Sequence, residues 1–154
     1  RPRRQTTNRP DGEIRRIAAE KLALVGLEGA GDKMPADISG GMRKRVGLAR
    51  AIATQPEIIL YDEPTSGLDP LISRQIDLLI DDLRRRLGVT SVVVTHDLYS
   101  ALGIGSRVAM LHEGRFVVCA PPAEFVASEH PVVRDFLRAQ GIAGLEDVRK
   151  AFGK

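Results

Sequence analysis

Between Glu13 and Val25 the apolar residues fall at Ile14, Ile17, Ala18, Leu22 and Val25, a spacing that predicts an amphipathic helix with Gly26 as its stop. A loop over 28–38 follows. Ser39 is a good N-cap for a helix over about 40–54. In that helix Met42, Val46, Ala49 and Ala53 make one apolar stripe, and Arg43, Lys44, Arg45 and Arg50 read as a solvated basic face. The run EIILYD (57–62) lacks polar alternation, which predicts a strand buried on both faces of a parallel sheet. Asp69 and Pro70 supply an N-cap and a first-turn proline for a helix running to Leu87. Its apolar positions are Leu71, Ile72, Ile76, Leu79, Ile80 and Leu83, and Gly88 ends it. TSVVVTH (90–96) reads as a second buried strand, followed by a short helix after Asp97. RVAMLHEGRFVVCA predicts a hairpin turning at Glu113-Gly114. Short helices are expected near 122–128, 131–140 and 145–152.

Strand, helix, strand, helix, strand is an α/β pattern. Right-handed crossovers would put the C-terminal ends of both parallel strands on one edge, where open α/β sheets carry their chemistry. Those ends hold Asp62-Glu63 and His96.

Composition changes this picture little. The 154 residues are 43% hydrophobic, enough for one compact domain, and only 4% aromatic, so the core must rest on aliphatic side chains. A net charge of +3 is mild and fits a protein that handles an anionic ligand. The single cysteine, Cys119, excludes an internal disulfide and reads as a quiet, half-buried thiol; nothing has zinc-ligand spacing. No apolar run approaches the roughly 18–20 residues of a membrane span, and no signal pattern is visible. These features point to the cytoplasm. The opening RPRRQTTNRPDGE, with four arginines and no apolar periodicity, reads as a solvated linker or a cut end.

Each chemical motif is weak alone. A strand that delivers Asp62 at its tip can serve Mg²⁺ through water, and Glu63, pointing elsewhere, can act as a general base; a bare Asp-Glu pair more often caps a turn. Ser39, Gly40 and Gly41 at a helix N-terminus can cradle phosphate on backbone N–H groups; a bare Ser-Gly-Gly is more often an ordinary cap. Gly67 permits a tight turn, and Asp69 caps the helix after it. His96 at a strand tip can bond a phosphate or orient water, though a lone histidine there is usually structural. His112 and His130 have no such context.

Taken in order, ISGGM, IILYDE, SGLD and THD resemble the signature, Walker B, D-loop and H-loop of ABC (ATP-binding cassette) transporter ATPases, over about residues 13–120. The resemblance implies the C-terminal part of a P-loop NTPase (RecA-like) core together with the signature-bearing helical subdomain. The implied division is 1–56 for the helical part, 57–120 for the ATPase core and 121–154 for a C-terminal helical extension. It further implies that Ser39, Gly40 and Gly41 contact the γ-phosphate of ATP held by the other subunit of a dimer. Asp62 would serve the Mg²⁺ shell and Glu63 would be the catalytic base. Asp69 would lie at the dimer interface, and His96 would contact the γ-phosphate and the attacking water. Met42 departs from the family's usual glutamine, which leaves a backbone role at that turn but no amide side chain.

SGGMRKRVGLARAI and LGVTSVVVTHDL look most like the ATPases of Mce/Mla-type lipid transporters. That narrower resemblance implies a homodimer on the inner face of a membrane, bound to a permease and a lipid-binding Mce-type partner, with no nucleic-acid role. No G-x-x-x-x-G-K-S/T stretch occurs in the sequence, and Gln5 lies too near the signature helix to stand in for the family's Q-loop glutamine. The expectation is therefore the C-terminal part of a longer protein, or a truncated product, inactive alone. The alternatives are a non-transport ABC ATPase acting on nucleic acid or in translation, and a non-catalytic interaction fragment.

Overall fold

The structure is a computed structural model and describes residues 10–152. The arginine-rich stretch before Pro10, Gln5 included, and Gly153-Lys154 lie outside the described residues. The chain divides after Val94 into two compact units.

The first unit contains α1 (Asp11–Leu24), a 3-10 turn (Pro35–Asp37), α2 (Gly40–Ile52), β1 (Ile58–Asp62), α3 (Pro70–Leu87) and β2 (Thr90–Val94). β1 and β2 are parallel, in register from Ile58 opposite Thr90 to Asp62 opposite Val94. The ladder runs one step further, with Glu63 N donating to Val94 O at 2.9 Å. α3 begins on the Asp69 cap with Pro70 in its first turn, and ends at Gly88, whose φ of 65° is the left-handed C-cap expected there. Its buried stripe is Ile76, Ile80 and Leu83. Asp77 and Asp81 are buried beside it, and Asp81 is paired with Arg84 and Arg85.

Two packing expectations are corrected. The buried face of α2 is Leu48, Ala49 and Ile52, with Val46 exposed. The expected stripe through Met42, Val46, Ala49 and Ala53 shares only Ala49 with it, because α2 packs on both α1 and α3 through the Gly41, Arg45, Leu48 and Ile52 side. The strands are also not buried on both faces. Ile59 and Tyr61 are buried, whereas Ile58, Leu60 (76% exposed), Val92 and Val94 are open. Successive strand side chains point to opposite faces, and among the described residues only one face of this pair is packed.

The second unit holds α4 (Leu98–Ile104), β3 (Val108–His112), β4 (Arg115–Ala120), α5 (Pro122–Val126), α6 (Pro131–Ala139) and α7 (Leu145–Phe152). The hairpin turns at Glu113 (φ 48°) and Gly114 (φ 76°), as the sequence predicts. Two consecutive left-handed residues match the right-handed twist of the flanking strands. A core of Leu98, Leu102, Val108, Phe125, Val133, Leu137, Ile142 and Val148 joins the helices to the hairpin. Cys119 is exposed rather than half-buried as the sequence suggests, with Arg107 Nη2 3.8 Å from its sulfur and 2.8 Å from its carbonyl oxygen. Val118 and Ala120, its neighbours on β4, pack on the core, so alternation turns Cys119 outward.

Candidate functional site

The N-terminus of α2 is built as its sequence dictates. Ser39 has extended backbone angles (φ −66°, ψ 166°), and its hydroxyl accepts from Met42 N at 3.2 Å. The hydroxyl proton is left to donate elsewhere. Gly40 and Gly41 form the first turn, where N–H groups have no intrahelical acceptor and the helix dipole favours an anion. Gly41 also has a packing reason to be glycine. A Cβ there would lie 2.8 Å from Ile72 Cγ2 on α3, whereas a Cβ on Gly40 would meet Leu68 Cδ2 at an ordinary 3.4 Å.

The tip of β1 places two carboxylates differently. Asp62 is exposed, on the open face of the strand pair with Leu60. Glu63 leaves the strand with φ 45°, a left-handed conformation uncommon for a side chain other than glycine, asparagine or aspartate. Its peptide is held on both sides: N–H to Val94 O at 2.9 Å, and C=O accepting from Ser66 N at 3.2 Å and Lys44 Nζ at 3.1 Å. Two positions earlier, on β1, Tyr61 is buried, and burial pushes its phenol pKa above the usual 10.0, with Ser91 opposing that shift. No group of three or more His, Cys, Asp or Glu able to hold a metal ion gathers among the described residues. An exposed strand-tip aspartate fits the other way of binding Mg²⁺, in which one carboxylate is completed by water and substrate phosphate.

Asp69 realises its capping role, its Oδ1 accepting from Leu71 N and Ile72 N, both at 3.0 Å. The Leu68 contact to Gly40 and the Ile72 contact to Gly41 set this turn beside the start of α2. Lys44 joins the same helix to Glu63. Ser39, Gly40, Gly41, Asp62, Glu63 and Asp69 thus all belong to the first unit. His96 belongs to the second, where it is exposed, precedes the Asp97 cap of α4 and accepts from Gln140 Nε2 at its carbonyl oxygen.

The basic residues of α2 are not simply solvated. Arg43 Nη1 donates to Ile38 O at 2.7 Å. Arg45 donates to Val25 O at 3.0 Å, capping the end of α1, and to Gln75 on α3 at 3.2 Å. A basic run on a helix carries no signal for such partners, which are set by neighbouring carbonyl ends.

The sequence model of the ABC transporter family matches residues 3–66. Probable ribonucleotide transport ATP-binding protein mkl of Mycobacterium bovis is 45% identical over 92% of this chain and 39% of its own length. Methionine import ATP-binding protein MetN of Cereibacter sphaeroides is 41% identical over 92% of this chain and 40% of its own. This chain therefore spans about two fifths of the length of these curated relatives. A solved ATP-binding cassette of an ABC transporter, in its ADP conformation, superposes with a TM-score of 0.74 over 86% of this chain and 53% of that one at 24% identity, which establishes the α/β cassette fold. The ordered motifs, the capped glycine turn beside the acid-tipped strand, and these matches lead to one conclusion: the chain belongs to the ATP-binding domains of ABC transporters.

Proposed function

We propose that this chain supplies the signature, Walker B, D-loop and H-loop elements of an ATP-hydrolysing subunit that works as a dimer beneath a membrane permease. The observation that carries the reading is the arrangement of the first unit. A capped diglycine helix start lies beside the Asp69 turn, and the same helix holds the peptide of Glu63. Ser39, Gly40 and Gly41 would meet the γ-phosphate of ATP bound to the partner copy. Asp62 would hold Mg²⁺ through water, and the ion would neutralise charge on the phosphates. Glu63 would take the proton of the attacking water, and His96 would orient that water and the γ-phosphate. Asp69 would lie at the interface of the two copies.

In the same reading residues 1–56 belong to the helical subdomain, 57–120 to the ATPase core and 121–154 to a C-terminal extension. Among the described residues no helix is long and apolar enough to cross a membrane; attachment at the cytoplasmic face would run through the permease. For the cargo we favour a phospholipid or related apolar molecule, on the likeness of SGGMRKRVGLARAI and LGVTSVVVTHDL to Mce/Mla-type ATPases. The names of the relatives, ribonucleotide transport and methionine import, define the competing cargoes.

The test is the full-length protein carrying Glu63→Gln. It should bind ATP and dimerise on it while hydrolysis stops; persisting turnover would remove Glu63 as the base. For the cargo, the reconstituted transporter should raise its ATPase rate with phospholipid and not with methionine or ribonucleotide. The opposite pattern replaces the lipid reading.

A further inference from the structure

We infer that Lys44 is a positioning residue for Glu63, and that it links the anion-facing start of α2 to the base within one copy. This rests on the proposed role of Glu63 and goes beyond it. Glu63 sits in the left-handed region at φ 45° without being glycine. Such a conformation persists only where surrounding bonds over-determine it. Two of those bonds are local or belong to the sheet: the amide to Val94 O, and the carbonyl to Ser66 N. The third comes from another element. Lys44 Nζ donates to the Glu63 carbonyl at 3.1 Å in a partly buried setting, and a charged donor makes the stronger kind of hydrogen bond.

The carbonyl fixes the plane of the peptide that follows Glu63. The Val94 bond fixes the plane before it. Together they set φ and ψ, and so the direction in which the carboxylate leaves the chain. Without Lys44 the carbonyl keeps the bond inside its own turn but loses its tie to α2. The carboxylate would then sample directions away from the water it must face, and small misplacements of a reacting group are costly to rate.

The same lysine lies five positions after Ser39, about 7.5 Å along the axis of a straight helix. A helix is rigid over that length. An anion engaged at Ser39–Gly41 therefore pulls on the helix that orients Glu63 of the same copy. Since that anion would belong to the partner copy's site, Lys44 gives a short mechanical route between the two sites.

The test uses the full-length protein. Lys44→Met keeps the stem and removes the donor, whereas Lys44→Arg keeps a donor. The expected result is a fall of about tenfold or more in kcat for Lys44→Met with KM for ATP within about twofold, and recovery to within about threefold in Lys44→Arg. Amide hydrogen exchange over 62–66 should quicken in Lys44→Met while exchange in α2 stays as in the unaltered protein. Wild-type kcat in Lys44→Met, or an arginine variant as slow as the methionine one, overturns the inference, as does unchanged exchange over 62–66. If Glu63→Gln leaves turnover intact, the base assignment fails instead, and the exchange measurement still decides whether Lys44 holds this peptide.

Discussion

Replacing Gly41 by alanine separates its two possible duties, anion approach and helix packing. The added Cβ would stand 2.8 Å from Ile72 Cγ2, well inside contact distance. That methyl is attached directly to the branched Cβ of Ile72, so it cannot swing aside as the end of a long side chain could. Relief requires α2 and α3 to part by several tenths of an ångström, and overpacking of this kind costs about 1–3 kcal/mol. Alanine gains back about 0.5–1 kcal/mol of backbone entropy relative to glycine in a helix. Gly40→Ala collects up to the same gain, and its new Cβ meets Leu68 Cδ2 at 3.4 Å and Arg43 Nη2 at 3.8 Å, both ordinary contacts with the ends of flexible side chains. The difference between the two adjacent substitutions therefore isolates the clash. Gly40→Ala should leave stability unchanged or raise it by up to about 1 kcal/mol, and Gly41→Ala should lose about 1–2 kcal/mol. With a urea slope of about 2 kcal/mol/M, the midpoint of the Gly41 variant should fall by about 0.5–1 M. Removing the offending methyl with Ile72→Ala should make the double variant more stable than the sum of the singles by about 1 kcal/mol. Equal midpoints for the two alanine variants, or strict additivity with Ile72→Ala, would refute the packing argument.

Asp69→Ala should destabilise α3 by about 1 kcal/mol, and Asp69→Ser should restore most of it, since Asp69 Oδ1 caps two amides; denaturant melts check this. Phe125→Ala, at the centre of the second unit's core, should cost about 3–5 kcal/mol by the same measurement. Tyr61 has its pKa raised by burial. Its neutral form therefore stabilises the fold fully below the ordinary tyrosine pKa, and that contribution is lost as pH climbs through the folded value. Stability should fall at pH above about 10, and Tyr61→Phe should flatten that alkaline slope. The 154 residues alone should release phosphate from ATP at background rate, because no G-x-x-x-x-G-K-S/T loop is among them. One lost donor in a hydrolase site costs about 3 kcal/mol, and a whole loop with its lysine costs more. Mg-dependent turnover that Glu63→Gln abolishes would contradict that expectation.

The sequence was most legible where local chemistry decides. The Ser39, Asp69 and Asp97 caps, the Gly88 stop and the Glu113-Gly114 turn each use residues whose side-chain oxygen or φ preference acts within four positions. The candidate residues were legible because four motifs keep a fixed order. What periodicity could not supply was tertiary. Lys44 and Arg45 look like surface charge until a carbonyl from 19 or 20 positions away is brought to them. The apolar run of β1 says that its side chains favour burial, not which face is covered among these residues. Nothing in the letters of Asp62-Glu63 announces that Glu63 turns left-handed, since that conformation is imposed by Val94, Ser66 and Lys44 together.

The most direct test of the proposed dimeric ATP site is a structure of the full-length Glu63→Gln protein with ATP and Mg²⁺. Two copies should enclose the nucleotide, with the terminal phosphate of each ATP within hydrogen-bond distance of Ser39 Oγ and the Gly41 amide of the opposite copy. A terminal phosphate lying beyond the reach of that diglycine turn in either copy would contradict it.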